Sequence, residues 1–346
     1  MNGSSAEASP RTVSAVSAAS AVSVVIPNFN GAGFLSLCLD ALEAQTFRDF
    51  EVILVDNGST DESPAIVRKG YPDVRLISLT SNTGFASAVN TGVRASHAKY
   101  VALLNNDTVV QPDWLGALVR ALDRSAPDVG AVQSLMLQLD DPGLVDDAGD
   151  ILSWTGAAQK LGHGEPCARF GQPREIFSPC AGAALYRRSF LEDVGGFDDT
   201  FFAYLEDIDL GLRGRLAGYR YLFEPSAEVH HKGQGSAMPR GRYVRLSTRN
   251  RLMIFGKCVP LLLLLKHGLQ LFYGQVYFFV AYRKPLDSLA GYAGLVRVLP
   301  HVLRERRRIA RGRQVSLPEL DKMLAPTMHE PPLRSLLAGR IRRFLS

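Results

Sequence analysis

Three acidic clusters stand at the ends of apolar runs, where a carboxylate can do chemistry. Asp56 follows Val52-Ile53-Leu54-Val55, Asp107 follows VALLNN, and Glu206-Asp207 follow FFAYL; His230-His231 come further along the chain. A strand that runs apolar into a carboxylate delivers it to the sheet's carboxyl edge, where open α/β folds bind ligands. Carboxylates gathered at one edge repel unless a cation or a proton-transfer role offsets the repulsion. Residues of these types in this order point to a metal-assisted enzyme.

The composition narrows the partners. With 46% hydrophobic residues over 346 positions, the chain can bury a sizeable core. The formal net charge of +5 conceals an asymmetry. Residues 1–236 carry 29 acidic and 18 basic side chains, whereas 237–346 carry 5 and 21. An acidic front half repels nucleic acid, so no nucleic-acid partner is expected; a basic, apolar tail suits an anionic membrane surface. Cys38, Cys167, Cys180 and Cys258 form no CxxC pair, which favours a reduced, cytoplasmic setting.

The elements that must carry these groups can be read from periodicity. Residues 1–21 are Ala/Ser-rich, without the basic start and apolar run of a signal peptide, and read as a disordered arm. Residues 22–236 alternate strand and helix. The run 22–27 is an apolar strand stopped by Pro27, and Leu35, Leu39 and Leu42 then repeat at helical spacing. Strands follow at 51–56, 74–79 and 100–104, with a helix over 85–95 and another after Pro112. This alternation predicts an α/β fold with a mostly parallel central sheet and right-handed crossovers. Residues 237–346 form a basic, apolar, helical tail.

Five segments, VSVVIPNFNG (22–31), FEVILVDNGSTDES (50–63), NTGFASAVNTGV (82–93), YVALLNNDT (100–108) and GGFDDTFFAYLEDIDLGLRGRLAGYRY (195–221), stand in the order of a family 2 glycosyltransferase. The chain resembles the bacterial members that build surface polysaccharides, rhamnosyltransferases among them. The resemblance implies the glycosyltransferase A-type fold and an inverting mechanism. It also implies a dTDP- or UDP-sugar donor, and it spans residues 22 to about 255.

The site residues follow from the two readings together. Pro27, Asn28 and Asn30 form a polar turn where backbone could meet a nucleobase, and by the family's pattern Asp56 accepts from a pyrimidine ring N–H. Asp56-Asn57-Gly58 also reads as an ordinary strand-ending turn. Asn82 and Asn90 either reach ribose or diphosphate or cap local turns. Asn105-Asn106-Asp107 stands where many relatives place Asp-x-Asp, so Asp107 is the expected ligand of Mg²⁺ or Mn²⁺. Asn105 departs from the acidic pattern, and the lost charge weakens metal affinity. The resemblance implies a His a few residues before a Gly-x-Ser pair; His231 sits at better spacing than His230 and is the expected second ligand. Asp207 is the expected base, with Glu206 as its runner-up or as an acceptor-orienting group. Gly182, Phe202 and Asp209 are assigned to the acceptor side, and Arg249-Asn250 to its phosphate.

The tail's residues 258–282 are apolar but interrupted by Lys266, His267, Gln270 and Gln275, marginal for a membrane span. With the run from Arg304 to Arg313, an interfacial helix at the cytoplasmic face of the inner membrane is expected, suited to a polyprenyl-diphosphate-linked glycan acceptor. Two other classes compete. A sugar nucleotidyltransferase needs a basic, Gly-rich phosphate loop after strand one, and Pro27-Asn28-Phe29-Asn30-Gly31 has no cation. A non-catalytic nucleotide-sugar sensor or membrane scaffold could dispense with the base, yet Asp107, Glu206 and Asp207 are all present.

Overall fold

The computed structural model describes residues 20–233 and 238–327. Residues 1–19 of the Ala/Ser-rich arm and the Gln234-Gly235-Ser236 turn lie outside the described residues. Four strands open the fold: β1 (Val22–Asn28), β2 (Phe50–Asp56), β3 (Arg75–Ser78) and β4 (Tyr100–Leu104), all parallel in the order β3-β2-β1-β4. Their crossovers are α1 (Ala32–Glu43), α2 (Ser63–Gly70) and α3 (Phe85–Ala95). In α1 the buried Leu35, Cys38, Leu39 and Leu42 repeat at helical spacing and seat the helix on the sheet. Pro27 does not stop β1. The strand runs on to Asn28, whose carbonyl accepts from Asn57 N–H at 2.7 Å, so the ladder loses one donor and continues.

Beyond α4 (Trp114–Asp123) the sheet is mixed rather than mostly parallel. A short β5 (Thr108–Val110) precedes α4, and β6 (Val129–Gln138), β7 (Asp141–Asp147), β8 (Asp150–Leu152), β9 (Ala158–Lys160), β10 (Arg174–Ile176) and β11 (Ala183–Arg187) follow it. After α5 (Arg188–Val194) and α6 (Glu206–Leu216), β12 (Arg220–His231) completes the set. The sheet order is β10-β12-β6-β11-β4-β1-β2-β3. Strand β11 runs antiparallel to both β4 and β6, whereas β12 is parallel to β6. The cause is connectivity. No α-helix intervenes between β6 and β11, so these strands need not re-enter in one direction, as a helical crossover would require.

The tail helices are α7 (Arg240–Cys258), α8 (Leu261–Lys266), α9 (Gly268–Tyr282), α10 (Pro285–Gly312) and α11 (Leu317–Met323). They share a core with α6: Ile208, Leu212 and Leu216 pack with Met253, Ile254, Phe255, Val302 and Leu320. Within it Lys257 of α7 is fully buried, bonded to Asp198 and 2.9 Å from Asp209, while Asp209 also takes Arg213 Nε at 2.8 Å. His301 of α10 reaches the same Asp198 at 2.8 Å. Pro260 and His267 break the apolar stretch, and the 15 residues of α9 rise only about 22 Å against a hydrocarbon core of about 30 Å. Among the described residues, no helix is long and apolar enough to cross a membrane.

Removing one partner of a buried charge network strands the others. Lys257→Met is therefore expected to lower unfolding stability by about 3–5 kcal/mol. Chemical denaturation measures it, and a loss within experimental error of zero would show that α7 is not fixed through this lysine.

Candidate active site

A cavity of about 360 Å³ opens where the carboxyl ends of β1 and β4 face the N-terminus of α6. Of the residues expected from sequence, Pro27, Asn28, Asn82, Asn105, Asn106 and Asp107 line one side. Gly182, Phe202, Glu206, Asp207 and His231 also line it. Asn30, Asp56, Asn90 and Asp209 are not among its lining residues, and each has a partner in the protein that accounts for it.

The amide wall is built from two loops tied together. Asn28 is buried; its Oδ1 accepts from Asn106 Nδ2 at 2.6 Å and its Nδ2 donates to Asp56 at 3.3 Å. Asp56 thus stands behind Asn28, buried at the end of β2. Asn30 takes a left-handed φ of 53° and its Oδ1 accepts Thr60 N–H at 2.8 Å, so it staples the turns after β1 and β2. Asn82 Oδ1 accepts Gly84 N–H at 2.9 Å, which makes it both a turn cap and a wall of the cavity. Asn90 is used up elsewhere. Its amide donates to Phe197 O and Asp199 and accepts Phe197 N–H, fastening the Gly195-Gly196 turn to α3.

Asp107 and His231 meet because β5 leaves β4 and pairs with the end of β12. Thr108 lies opposite His231, and Asp107 O accepts Lys232 N–H at 3.0 Å. His231 Nε2 stands 3.3 Å from Asp107 Oδ1, while its Nδ1 is 2.8 Å from Asp146 Oδ2. Burial pushes the imidazole toward its neutral form, but hydrogen bonds to Asp107 and Asp146 outweigh it and raise the pKa to about 9. His230 points away from the cavity in the alternation of β12 and bonds Glu228 at 2.9 Å. One carboxylate and one imidazole, the latter oriented by a second carboxylate on its other nitrogen, form a donor set that fits a divalent cation completed by phosphate oxygens.

The facing wall is strained. Phe202, Tyr204 and Leu205 all have left-handed φ values of 65°, 71° and 69°. Ala203 N–H bonds Phe201 O at 2.8 Å across a γ-turn at Phe202. Such geometry costs on the order of 1–3 kcal/mol per residue and persists only where surroundings hold it. Here α7 holds it: the buried Asn250 amide donates to Phe201, Ala203 and Tyr204 carbonyls, and Arg249 donates to Thr200 and Phe201. The pair expected to meet an acceptor's phosphate therefore clamps the loop that launches α6, and neither residue lines this cavity.

That loop delivers Glu206 and Asp207 to the cavity. Burial, then repulsion from Asp207, pushes Glu206 up to about 8, and its Oε2 has no hydrogen-bond partner. Burial also raises Asp207, but its carboxylate accepts Ile208 N–H at 2.8 Å and Ala181 N–H at 3.5 Å, both of which favour the ionised form. The two carboxyls titrate as a pair, and the two backbone N–H donors on Asp207 favour its ionised form over that of Glu206. Asp209, assigned to the acceptor side from sequence, instead faces the Arg213–Lys257 network with no exposure. Two residues past Asp207, it lies about 200° further round the helix and so faces away from that carboxylate.

Sequence reading missed the acidic segment 146–150. Asp147 is pushed up to about 7 and Asp150 well above the carboxylate range, in both cases first by burial. Asp146 stays low, at about 2, because His231 and Lys160 overcome its burial. The signal was present: Asp146-Asp147 follow the apolar Leu144-Val145, the same pattern that flagged Asp56 and Asp107. Cys180 lines the cavity within 4.8 Å of ligand atoms on Asp150 and Asp207, and burial holds its thiol protonated.

A family model for "Glycosyl transferase family 2" matches residues 23–195. The chain belongs to glycosyltransferase family 2. It is 32% identical over 242 residues to an N-acetylglucosaminyl-diphospho-decaprenol L-rhamnosyltransferase of Mycobacterium tuberculosis, covering 62% of this chain and 76% of that protein. It is also 32% identical over 237 residues to the O-antigen biosynthesis protein RfbC of Myxococcus xanthus, covering 64% of this chain but only 18% of that protein. Among solved structures, a mannosyltransferase of Pyrobaculum calidifontis in complex with GDP-Man and Mn²⁺ is similar with a TM-score of 0.50 at 20% identity, covering 95% and 82% of the two chains. GalNAc-T7 with UDP, GalNAc and Mn²⁺ is similar at 0.53 and 16% identity, covering 69% and 51%. These likenesses agree with the mixed sheet as a glycosyltransferase A-type fold.

The clamp on the strained loop gives a test. Asn250→Ala frees three carbonyls and lets Glu206-Asp207 drift, and a misplacement of about 1 Å can cost about 10²-fold in rate. Turnover should fall on that order while donor affinity is unchanged; an equal loss in both would point to general unfolding.

Proposed function

We propose that this protein is an inverting, metal-dependent glycosyltransferase that moves a sugar, in the leading case rhamnose, from a dTDP- or UDP-linked donor to a lipid-linked glycan during cell-surface polysaccharide synthesis. One observation carries the reading: a cation-type donor set, Asp107 and His231, and a base-type pair, Glu206 and Asp207, share a single cavity with the amides of Asn28, Asn82, Asn105 and Asn106. The mycobacterial relative's name supports both the sugar and a diphospho-prenol acceptor.

The chain's own groups divide the work. Pro27, Asn28, Asn82, Asn105 and Asn106 form the surface for nucleoside and ribose, with Asp56 fixing Asn28 from behind. Asp107 and His231, the latter giving up its Nε2 proton on binding, would hold Mg²⁺ or Mn²⁺, which when bound supplies Lewis-acid stabilisation of the departing diphosphate. Asp146 fixes the tautomer by accepting a hydrogen bond from Nδ1–H, which leaves Nε2, facing Asp107, as the ligating nitrogen. Asp207 accepts the proton of the acceptor hydroxyl as that oxygen attacks the anomeric carbon, and the nucleoside diphosphate leaves from the opposite face. Glu206, protonated near neutral pH, can donate a hydrogen bond to the acceptor. Gly182 gives close backbone approach, since a Cβ there would meet Asn105 and Met136 at 3.2 Å.

Membrane contact is part of the same proposal, at the cytoplasmic face of the inner membrane. Leu261, Leu262 and Leu265 of α8 and Leu269 and Phe272 of α9 are 63–86% exposed, an apolar surface that water disfavours. Arg283 and Lys284 follow directly at the end of α9 and supply cations there. Sedimentation with anionic phosphatidylglycerol vesicles should retain the protein, and Leu265→Asp with Phe272→Asp should release it; retention of the double variant would contradict an apolar footing.

Asp207→Asn keeps shape but removes the base, so donor binding should persist while transfer falls below about 10⁻² of wild type. Because burial raises this carboxyl, turnover should decline on the acid side at a higher pH than an ordinary carboxylate would give. Near-normal turnover in the variant would remove Asp207 from the mechanism. Asp146→Asn should weaken Mn²⁺ binding about 10–100-fold in an electron-spin titration, and an unchanged titration would contradict His231 as a ligand.

A further inference from the structure

A second cavity, of about 500 Å³, lies between α7 and α10 and shares Pro239 and Arg242 with the catalytic one. Arg242, Arg245 and Arg249 all line it from α7, at helical spacings of three and four that bring them onto one face. Its α10 side is built from Ala290, Gly291 and Gly294, whose small side chains leave the space open. The groove's single carboxylate, Asp287, accepts Arg245 Nε at 2.7 Å. Three guanidiniums face one acid in the lining, and only Asp198, from outside it, acts further on Arg249. Arg242 is steered toward the catalytic cavity by stacking on the Phe202 ring at 4.2 Å. Arg249 is fixed through Nε and Nη2 on Asn250, Thr200 and Phe201.

Guanidinium forks suit phosphate oxygens in planar, paired contacts, and a phosphoanhydride presents enough of them for several arginines at once. Beside the groove, α10 exposes Leu286 by 80% and Leu289 by 54%. We propose that this groove binds the diphosphate of the lipid-linked acceptor. Its sugar enters the catalytic cavity past Arg242, and its prenyl chain leaves over Leu286 and Leu289. The inference rests on the transferase reading above and adds to it the subsite that selects a diphosphate-linked acceptor over a free glycan.

Arg245 is the residue to change, because it lines the groove alone and not the catalytic cavity. Calorimetric titration with geranyl diphosphate, on protein saturated with dTDP and Mn²⁺ so that the donor site is filled, reads the groove without needing turnover. Wild type should bind geranyl diphosphate, and Arg245→Glu should weaken it at least tenfold. Absent binding in wild type, or equal binding in the variant, overturns the proposal. Inorganic pyrophosphate binding as tightly as the prenyl compound would overturn the lipid assignment. In transfer assays, Arg245→Glu should raise KM at least tenfold for N-acetylglucosaminyl-diphospho-geraniol, leaving donor KM and kcat within twofold. It should leave KM unchanged for the octyl glycoside, which lacks phosphate; an equal rise for both acceptors would make Arg245 merely structural. Failure of wild type to transfer at all would defeat the transferase reading, while the calorimetric arm would still decide the groove.

Discussion

Like charges held close together in a dry interior govern this protein. Asp107, Asp146, Asp147, Asp150, Glu206 and Asp207 act on one another or on shared neighbours, with Lys160 and His231 as the cations among them. Uncompensated, such a cluster would drive the loops apart or neutralise itself by protonation. The structure does some of each. Asp146 stays ionised between Lys160 and His231, whereas Asp147, Asp150 and Glu206 rise toward or beyond neutrality. A cation on Asp107 and His231 would complete the compensation on the side where a donor's diphosphate would add still more negative charge.

The scaffold's irregularities serve that arrangement. The switch from parallel to mixed pairing lets β5 fold onto the end of β12 and bring Asp107 to His231. The left-handed run before α6 brings Glu206 and Asp207 to the opposite wall, and it is held from outside by Asn250. Helix α7 is therefore part of the framework of the candidate site: its Lys257 closes the charge network beneath α6, and its Arg249-Asn250 clamp the loop above it.

What could be read from sequence follows local physics. The strands β1, β2 and β4 and the helix α3 have strong period and clear ends, and Asp107, Asp207 and His231 are expected from chain order and meet in the cavity. Asn30, Asn90 and Asp209 looked like site residues because polar groups beside motifs draw attention, yet each is satisfied by long-range partners that no local pattern reveals. Asn90 meets residues beyond position 195, and Asp209 meets Lys257. The mixed sheet escaped for the same reason, since β6 to β11 carry no alternation with helices. Asp146 was legible as an apolar run ending in acids but had no neighbouring motif to mark it.

The most direct test of the shared cavity is thermal unfolding of the intact protein with nucleoside diphosphates, with and without Mn²⁺ or Mg²⁺. A ligand confined to the native state at a hundred times its Kd adds about 2.7 kcal/mol of stability. A rise in Tm with dTDP or UDP that depends on the metal, and that disappears in Asp107→Ala, is the predicted result. No rise with any nucleotide, or a rise indifferent to both metal and Asp107, would contradict a donor site built on Asp107 and His231.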